Sequence, residues 1–181
     1  MEPTRRVVDR EGNDYRLRPI RPEDAPAAQR ALREMDPRDV RARLFAATTE
    51  MSDEAMRRFC TPDPARDLCL VLECDDRPGE LLGGCRLMGD AGGGSAEFAV
   101  TLLTAMKGRG LGRALMETLL AEAPTHGFTK VWGTILGDNR AMIELCRKLG
   151  FSIARDPDDP ALVKAIWTPP AEGHARLEAD R

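Results

Sequence analysis

A single carboxylate interrupts an apolar stretch of this chain. Glu97 is the only charged residue between Ala91 and Met106, and the segment 96–103 around it has the pattern of an apolar strand. Removing a carboxylate from water raises its pKa, which suits it to accept a proton near neutral pH. We therefore expect Glu97 to be a general base. The alternative is a glutamate that faces solvent from a strand, and the sequence leaves it open.

A basic, glycine-rich turn follows that strand and opens a helix. Its residues are Lys107, Gly108, Arg109, Gly110, Leu111 and Gly112, and Arg113 comes next. The first amides of a helix lack partners within it, and the helix dipole adds partial positive charge, so such a turn attracts anions. The lysine and the two arginines add full positive charges. We predict that this turn binds phosphate, with an ordinary glycine-rich turn as the alternative.

Two widespread phosphate-binding patterns do not match the turn. A Walker loop ends in Gly-Lys followed by Ser or Thr, whereas this chain continues with Leu111, Gly112 and Arg113. The dinucleotide-binding fingerprint requires a third glycine at the place that Arg113 occupies. The turn is therefore expected to hold phosphate in another structural setting.

The strand and the turn belong to a regular succession of strands and helices. Apolar alternation and apolar runs predict strands over 15–20, 68–74, 81–88, 96–103, 130–136, 151–153 and 161–167. Caps, prolines and apolar spacings of three and four predict helices over 25–35, 38–47, 52–60, 111–123 and 139–149. We expect one α/β (α+β) domain over 14–167, between a polar lead-in over 1–13 and a flexible tail over 168–181.

Composition excludes several classes of function. Hydrophobic residues make up 42% and charged residues 31%, which indicates a globular chain, and a net charge of −3 offers no field for nucleic acid. No apolar run reaches the length needed to span a membrane. Five cysteines, an odd number, are typical of reduced thiols in the cytoplasm. The cysteines and the two histidines lack metal-site spacing, so we expect no metal.

The turn and the order of the elements resemble the GNAT superfamily of acyltransferases. The pyrophosphate loop of that family has Gln or Arg, two variable residues and Gly-x-Gly or Gly-x-Ala, where this chain has Lys107 and 110–112. Its second cofactor motif resembles Asn139–Met142 followed by Leu149–Phe151. The resemblance implies a mixed, mostly antiparallel sheet flanked by helices, with acetyl-CoA as the acyl donor. It also implies a set of cofactor-binding residues: the loop 107–113, Asn139, and the strand residues Val100, Thr101 and Leu102, along which pantetheine pairs.

More specifically, the chain resembles the bacterial Pat-type protein lysine acetyltransferases. The matching segments are 16–24, 43–46, 51–52, 95–100, 108–113 and 156–160. This resemblance implies that Glu97 is the catalytic glutamate and that the acceptor is a protein lysine, for example on an acyl-CoA synthetase. Many GNAT enzymes protonate the leaving thiolate with a tyrosine, where this chain has Cys146. Because Cys146 lies on the apolar stripe of its predicted helix, we expect it to be a core residue.

Three functions remain open at this point. The first is acetylation of a protein lysine, and the second is acetylation of a small amine metabolite. The third is a regulatory module that binds acyl-CoA without useful turnover, against which the presence of Glu97 argues. Acceptor specificity is expected to depend on the predicted helices within 38–61 and on loops whose shape the sequence does not define.

Overall fold

The computed structural model of the protein describes residues 4–38, 40 and 51–170. Within these residues the strands form one sheet in the order β1-β2-β3-β4-β5-β6-β8-β7. Their bounds are β1 (Arg5–Val8), β2 (Asp14–Pro19), β3 (Asp67–Glu73), β4 (Gly83–Gly89), β5 (Ser95–Leu102), β6 (Lys130–Leu136), β7 (Ser152–Arg155) and β8 (Leu162–Trp167). Neighbouring strands run antiparallel except β5 and β6, which run parallel. The predicted mixed, mostly antiparallel sheet is confirmed.

The helices flank this sheet, and two of them begin at the caps that the sequence predicts. Their bounds are α1 (Ala25–Glu34), α2 (Asp53–Phe59), α3 (Leu111–Glu122) and α4 (Arg140–Lys148). Ahead of α2, Ser52 Oγ accepts a hydrogen bond from the amide of Ala55 at 3.2 Å. Ahead of α4, Asn139 Oδ1 accepts one from the amide of Met142 at 3.2 Å. Among the described residues, no helix has the length and apolar character to cross a membrane.

The side chains of β5 alternate between two different layers of the molecule. Phe98 belongs to the main core, together with Leu87 and with Leu115 of α3. Its neighbour Ala99 and the next alternate residue Thr101 instead line an apolar pocket beneath α1 and α2. Since Glu97 shares the face of Ala99 and Thr101, it lies on the side of the sheet away from α3.

The amino-terminal segment differs from its prediction. Within the predicted polar lead-in, Arg5–Val8 forms β1, which pairs with β2 from Arg5–Leu17 to Val8–Asp14. Only Val7 of these four residues is buried, so the strand lacks the repeated apolar alternation that would identify it. The predicted helix over 38–47 falls mostly outside the described residues, as does most of the predicted tail over 168–181.

The parallel pair β5 and β6 separates shortly after it begins. The two strands pair at Ser95–Lys130, Ala96–Val131 and Glu97–Trp132, and their register ends there. Beyond this point β5 continues beside β4, and β6 continues beside β8. The sheet therefore opens between β5 and β6 toward their carboxyl ends.

An aromatic ring packs over a glycine at the point where the two strands part. A Cβ atom added to Gly133 of β6 would lie 2.5 Å from Cε1 of Phe98 on β5, so no side chain fits there. Phe151 meets the same ring edge-on, with centroids 5.3 Å apart and an interplanar angle of 66°. The geometry at the start of the opening thus depends on the large side chain of Phe98 and on the absence of a side chain at Gly133.

We predict that Gly133→Ala lowers the free energy of unfolding by about 1–3 kcal/mol, because the new methyl group overpacks the Phe98 ring. Urea denaturation monitored by circular dichroism measures this change. Gly92→Ala is the matched control, since nothing lies within 4 Å of a Cβ atom added at Gly92.

A second substitution tests the cause. Phe98→Leu in the Gly133→Ala background should return part of the lost stability, because the shorter side chain vacates the space of the added methyl. Equal losses in Gly133→Ala and Gly92→Ala would contradict this steric explanation.

Candidate active site

The opening exposes the backbone of β5 along one edge. The amide of Leu103 donates to the carbonyl oxygen of Leu82 at 2.9 Å, so odd-numbered residues of β5 direct their backbone groups toward β4. By the alternation of an antiparallel ladder, the amides and carbonyls of Val100 and Leu102 face the opening instead. These backbone groups have no strand partner there among the described residues. They are available to an extended ligand that carries amide groups.

Thr101 occupies a different position from its two neighbours. It pairs with Gly84 of β4, and its side chain lines the apolar pocket beneath α1 and α2. Of the three strand residues predicted to bind the cofactor, Val100 and Leu102 therefore present their backbone to the opening, whereas Thr101 faces the layer of α1 and α2.

Glu97 lies at the closed end of the opening. It is half-buried and is flanked in register by Met88 on β4 and by Trp132 on β6. Within the described part of the chain, no donor or cation bonds to its carboxylate. A carboxylate in this position can accept a proton from a molecule that reaches the end of the opening.

A polar cluster at the β4–β5 hairpin holds Trp132, which flanks Glu97 on β6. Trp132 Nε1 donates to Asp90 Oδ2 at 3.3 Å, and the hydroxyl of Ser95 donates to the same carboxylate oxygen. The indole is therefore fixed beside Glu97 rather than free to rotate. This role of Asp90 was missed by the sequence reasoning, because its partner Trp132 is 42 residues away along the chain.

The glycine-rich turn adopts the conformation that its residues favour. Gly108 and Gly110 have φ of 78° and 85°, in the left-handed region that glycine enters at little cost. Gly110 is the residue before α3, and Leu111 is completely buried in the core. The amides of Gly110, Leu111 and Gly112 have no acceptor among the described residues. The turn thus presents unpaired amides at the positive end of α3.

The two arginines of the turn have partners within the protein. Arg109 turns toward the β1–β2 hairpin, where its Nη1 lies 3.5 Å from Asp9 Oδ2 and 3.4 Å from the hydroxyl of Tyr15. Arg113 Nε donates to Glu117 Oε1 at 2.7 Å, one helical turn further along α3. Arg109 therefore connects the turn to the hairpin.

Asp9 is the centre of that connection. Its carboxylate is completely shielded from solvent and accepts from the amides of Glu11 and Asn13, both at 2.9 Å, and from the Tyr15 hydroxyl at 3.1 Å. Burial raises the pKa of Asp9, but these hydrogen bonds and that from the Asn13 side chain outweigh it, so the pKa lies far below its ordinary value. Nothing in the sequence pattern distinguishes Asp9 or Tyr15 from ordinary hairpin residues.

The second predicted cofactor motif lies at the same edge of the sheet as the turn. Because β5 and β6 are parallel, the segments that follow both strands lie at their carboxyl ends. Asn139 is half-buried there, and its Oδ1 is occupied by the cap of α4. Its Nδ2 group has no acceptor among the described residues. This donor is the part of Asn139 that can meet a ligand.

Cys146 is confirmed as a core residue. It is completely buried within the main core, and burial raises the pKa of its thiol to about 12. A thiol so placed has no access to a leaving group in the opening.

Comparison with known proteins identifies the family. The model for the acetyltransferase (GNAT) domain matches residues 15–152. The chain is 30% identical over 155 residues to acetyltransferase PA5475 of Pseudomonas aeruginosa, covering 84% of this chain and 83% of that protein. This chain belongs to the GNAT acetyltransferase family. It is accordingly an N-acetyltransferase, and the predictions of family and enzyme class are confirmed.

Solved structures share the fold. The GNAT domain of PAT from S. lividans superimposes with a TM-score of 0.82 at 24% identity, covering 91% of this chain and 96% of that domain. RimL is a ribosomal L7/L12 alpha-N-protein acetyltransferase solved in complex with coenzyme A. It gives a TM-score of 0.70 at 13% identity, covering 85% of this chain and 93% of RimL. The GNAT family uses acetyl-CoA as its acyl donor.

We predict that Asp9→Asn destabilises the protein at pH 7 and that this deficit shrinks as the pH falls. A carboxyl group whose pKa is depressed by folding contributes stability above its unfolded pKa of about 3.9, and loses that contribution as the pH falls through its folded pKa. The measurement is the urea midpoint of both proteins between pH 3 and pH 7.

Asp14→Asn serves as the control, because its carboxylate is 61% exposed and lies 3.8 Å from the nearest nitrogen of Arg6. A deficit of Asp9→Asn that stays constant over this pH range would show that the charge of Asp9 does not stabilise the hairpin.

Proposed function

We propose that this N-acetyltransferase transfers the acetyl group of acetyl-CoA to a lysine side chain of a protein, with Glu97 as the general base. The observation that carries the proposal is the position of Glu97. It stands at the closed end of the opening between β5 and β6, with no partner for its carboxylate among the described residues.

The donor would lie along β5 with its phosphates on the glycine-rich turn. The unpaired amides of Gly110, Leu111 and Gly112 support pyrophosphate binding, and the backbone groups of Val100 and Leu102 support pairing with pantetheine. Strand geometry separates Glu97 from Leu102 by about 17 Å, a span that an extended arm can cross. The remaining proposed cofactor contacts are Thr101, Lys107, Gly108, Arg109, Arg113 and Asn139.

The reaction requires a neutral amine next to the thioester. A lysine amine has a reference pKa of about 10.4 and arrives protonated at neutral pH. Glu97, directly or through a water molecule, accepts that proton. The amine nitrogen then attacks the thioester carbonyl carbon, and a backbone amide of β5 stabilises the oxyanion. The nitrogen of the tetrahedral intermediate loses its extra proton to water. Collapse then breaks the carbon–sulfur bond, forms the neutral amide and releases CoA thiolate.

The thiolate leaves without a protein acid in this proposal. Cys146 occupies the position of the general-acid tyrosine of many GNAT enzymes, but it is completely buried in the core. We therefore assign no acid to the chain, and the CoA thiolate takes its proton from water.

The surface around Glu97 supports a macromolecular acceptor. In register with Glu97, the row across the sheet contains Met88, Trp132 and Ile166, and Met88 and Ile166 are 42% and 37% exposed. An exposed apolar row beside a carboxylate suits the stem of a lysine and its flanking residues. The resemblance to Pat-type enzymes points to the same acceptor class.

A small amine is the second candidate acceptor. The apolar pocket beneath α1 and α2 is on the same face of the sheet as Glu97, and Leu32, Phe59 and Ala99 are among its lining residues. A compact apolar amine held there would approach Glu97 from the side of α1 and α2.

We predict that Glu97→Gln lowers kcat by about 10²–10⁴-fold and leaves the dissociation constant for acetyl-CoA unchanged, because a glutamine cannot accept the amine proton. Steady-state kinetics and calorimetric titration measure the two quantities. Glu144→Gln is the control, since this glutamate of α4 is exposed and pairs with Lys148 on the surface of the same helix. An unchanged kcat in Glu97→Gln would remove Glu97 from the mechanism.

The acceptor is tested with radiolabelled acetyl-CoA and a lysate of the source organism. We predict that label appears on protein lysines with the wild-type enzyme and is lost with Glu97→Gln. Label confined to the small-molecule fraction would favour a metabolite acetyltransferase. Binding of acetyl-CoA without any transfer would favour a regulatory module.

A further inference from the structure

We infer that Arg10, on the turn of the β1–β2 hairpin, is a phosphate-binding residue that acts together with the glycine-rich turn. This inference rests on the proposed function, because the phosphate is one carried by CoA, either its pyrophosphate or its 3′-phosphate. Arg10 lies in the predicted polar lead-in and is far in sequence from every motif that points to the donor site.

The backbone of Arg10 is fixed to the glycine-rich turn. Its amide donates to the carbonyl oxygen of Arg109 at 3.0 Å, and the side chain of Arg109 returns to Asp9, the residue before Arg10. The hairpin and the turn are thus joined through both backbone and side chains. Arg10 cannot move away from the turn without breaking these contacts.

The side chain of Arg10 lies across the start of α3. A Cβ atom added to Gly110 would be 3.2 Å from both Cγ and Nε of Arg10. The stem of the arginine therefore occupies the place where any other residue at 110 would put its side chain. This contact places Nε of Arg10 beside Gly110, the first of the three residues whose amides have no acceptor among the described residues.

The charge of Arg10 is not neutralised within the described part of the chain. Arg10 is an exposed residue, and its guanidinium forms no ion pair there. In contrast, Arg109 is held by Asp9 and Tyr15, and Arg113 is held by Glu117. Arg10 is therefore available to a ligand, whereas the two arginines of the turn are already paired.

The electrostatics of this arrangement favour a bound anion. A cation beside the positive end of a helix is unfavourable, because the helix dipole and the unpaired amides repel it. An anion placed between the guanidinium and the start of α3 is attracted by both. It can accept hydrogen bonds from the amides and from the guanidinium at once. Arginine suits this position because its fork of donors matches two phosphate oxygens.

Calorimetric titration of the full chain with CoA and with 3′-dephospho-CoA tests the inference. We expect Arg10→Ala to weaken CoA binding about tenfold or more, as for a lost hydrogen bond to a charged group, and Arg10→Lys to retain part of the affinity. The deficit should shrink at high salt, because screening weakens the attraction between the guanidinium and the phosphate. Arg6→Ala is the matched control, because this hairpin arginine is 77% exposed and its one ion pair among the described residues is with Asp14, at 3.8 Å.

The two ligands distinguish the phosphates. Equal weakening for CoA and 3′-dephospho-CoA supports a contact with the pyrophosphate, and weakening for CoA alone supports a contact with the 3′-phosphate. Unchanged affinity in a folded Arg10→Ala overturns the inference and leaves the proposed function intact. Failure of the wild-type protein to bind CoA overturns both, and melting curves of each variant show whether it is folded.

Discussion

The separation of β5 from β6 is the constraint on which the rest of the structure depends. A continuous sheet would satisfy the backbone groups of Val100 and Leu102 within the protein and leave no edge for a ligand. The Phe98 ring over Gly133 occupies the point at which the strands part, and Phe151 supports that ring from the core. The cost of an unpaired strand edge is thus confined to one short segment, which is where the donor site of the proposed function lies.

The two ends of this opening have opposite electrostatic character. Glu97 supplies negative charge at the closed end, beside an indole whose orientation Asp90 fixes. The far end carries the unpaired amides at the start of α3. A ligand with phosphates at one end and an electrophilic carbon at the other is oriented by this difference, because only one direction places its anionic end on the amides.

The amino-terminal hairpin provides part of the donor end. The buried Asp9 accepts hydrogen bonds from its own hairpin and pairs with Arg109 of the glycine-rich turn. Arg5 of β1 also pairs with Glu122 near the end of α3. The hairpin therefore runs along α3 and is attached near both ends of that helix. A loop that must hold anions is made more rigid by such attachment, since fewer conformations compete with the binding one.

Among the described residues, the sequence by itself determined the strands and helices other than β1, together with the turn, because these follow from local chemistry. Apolar patterning identified β5, α3 and α4. The glycines of the turn adopt a left-handed φ, and Asn139 caps α4. Tertiary structure alone decided the rest. Residues distant in sequence determine three features: the four-residue edge strand β1, the partner of Arg109 and the place where β5 leaves β6. No local pattern encodes such contacts.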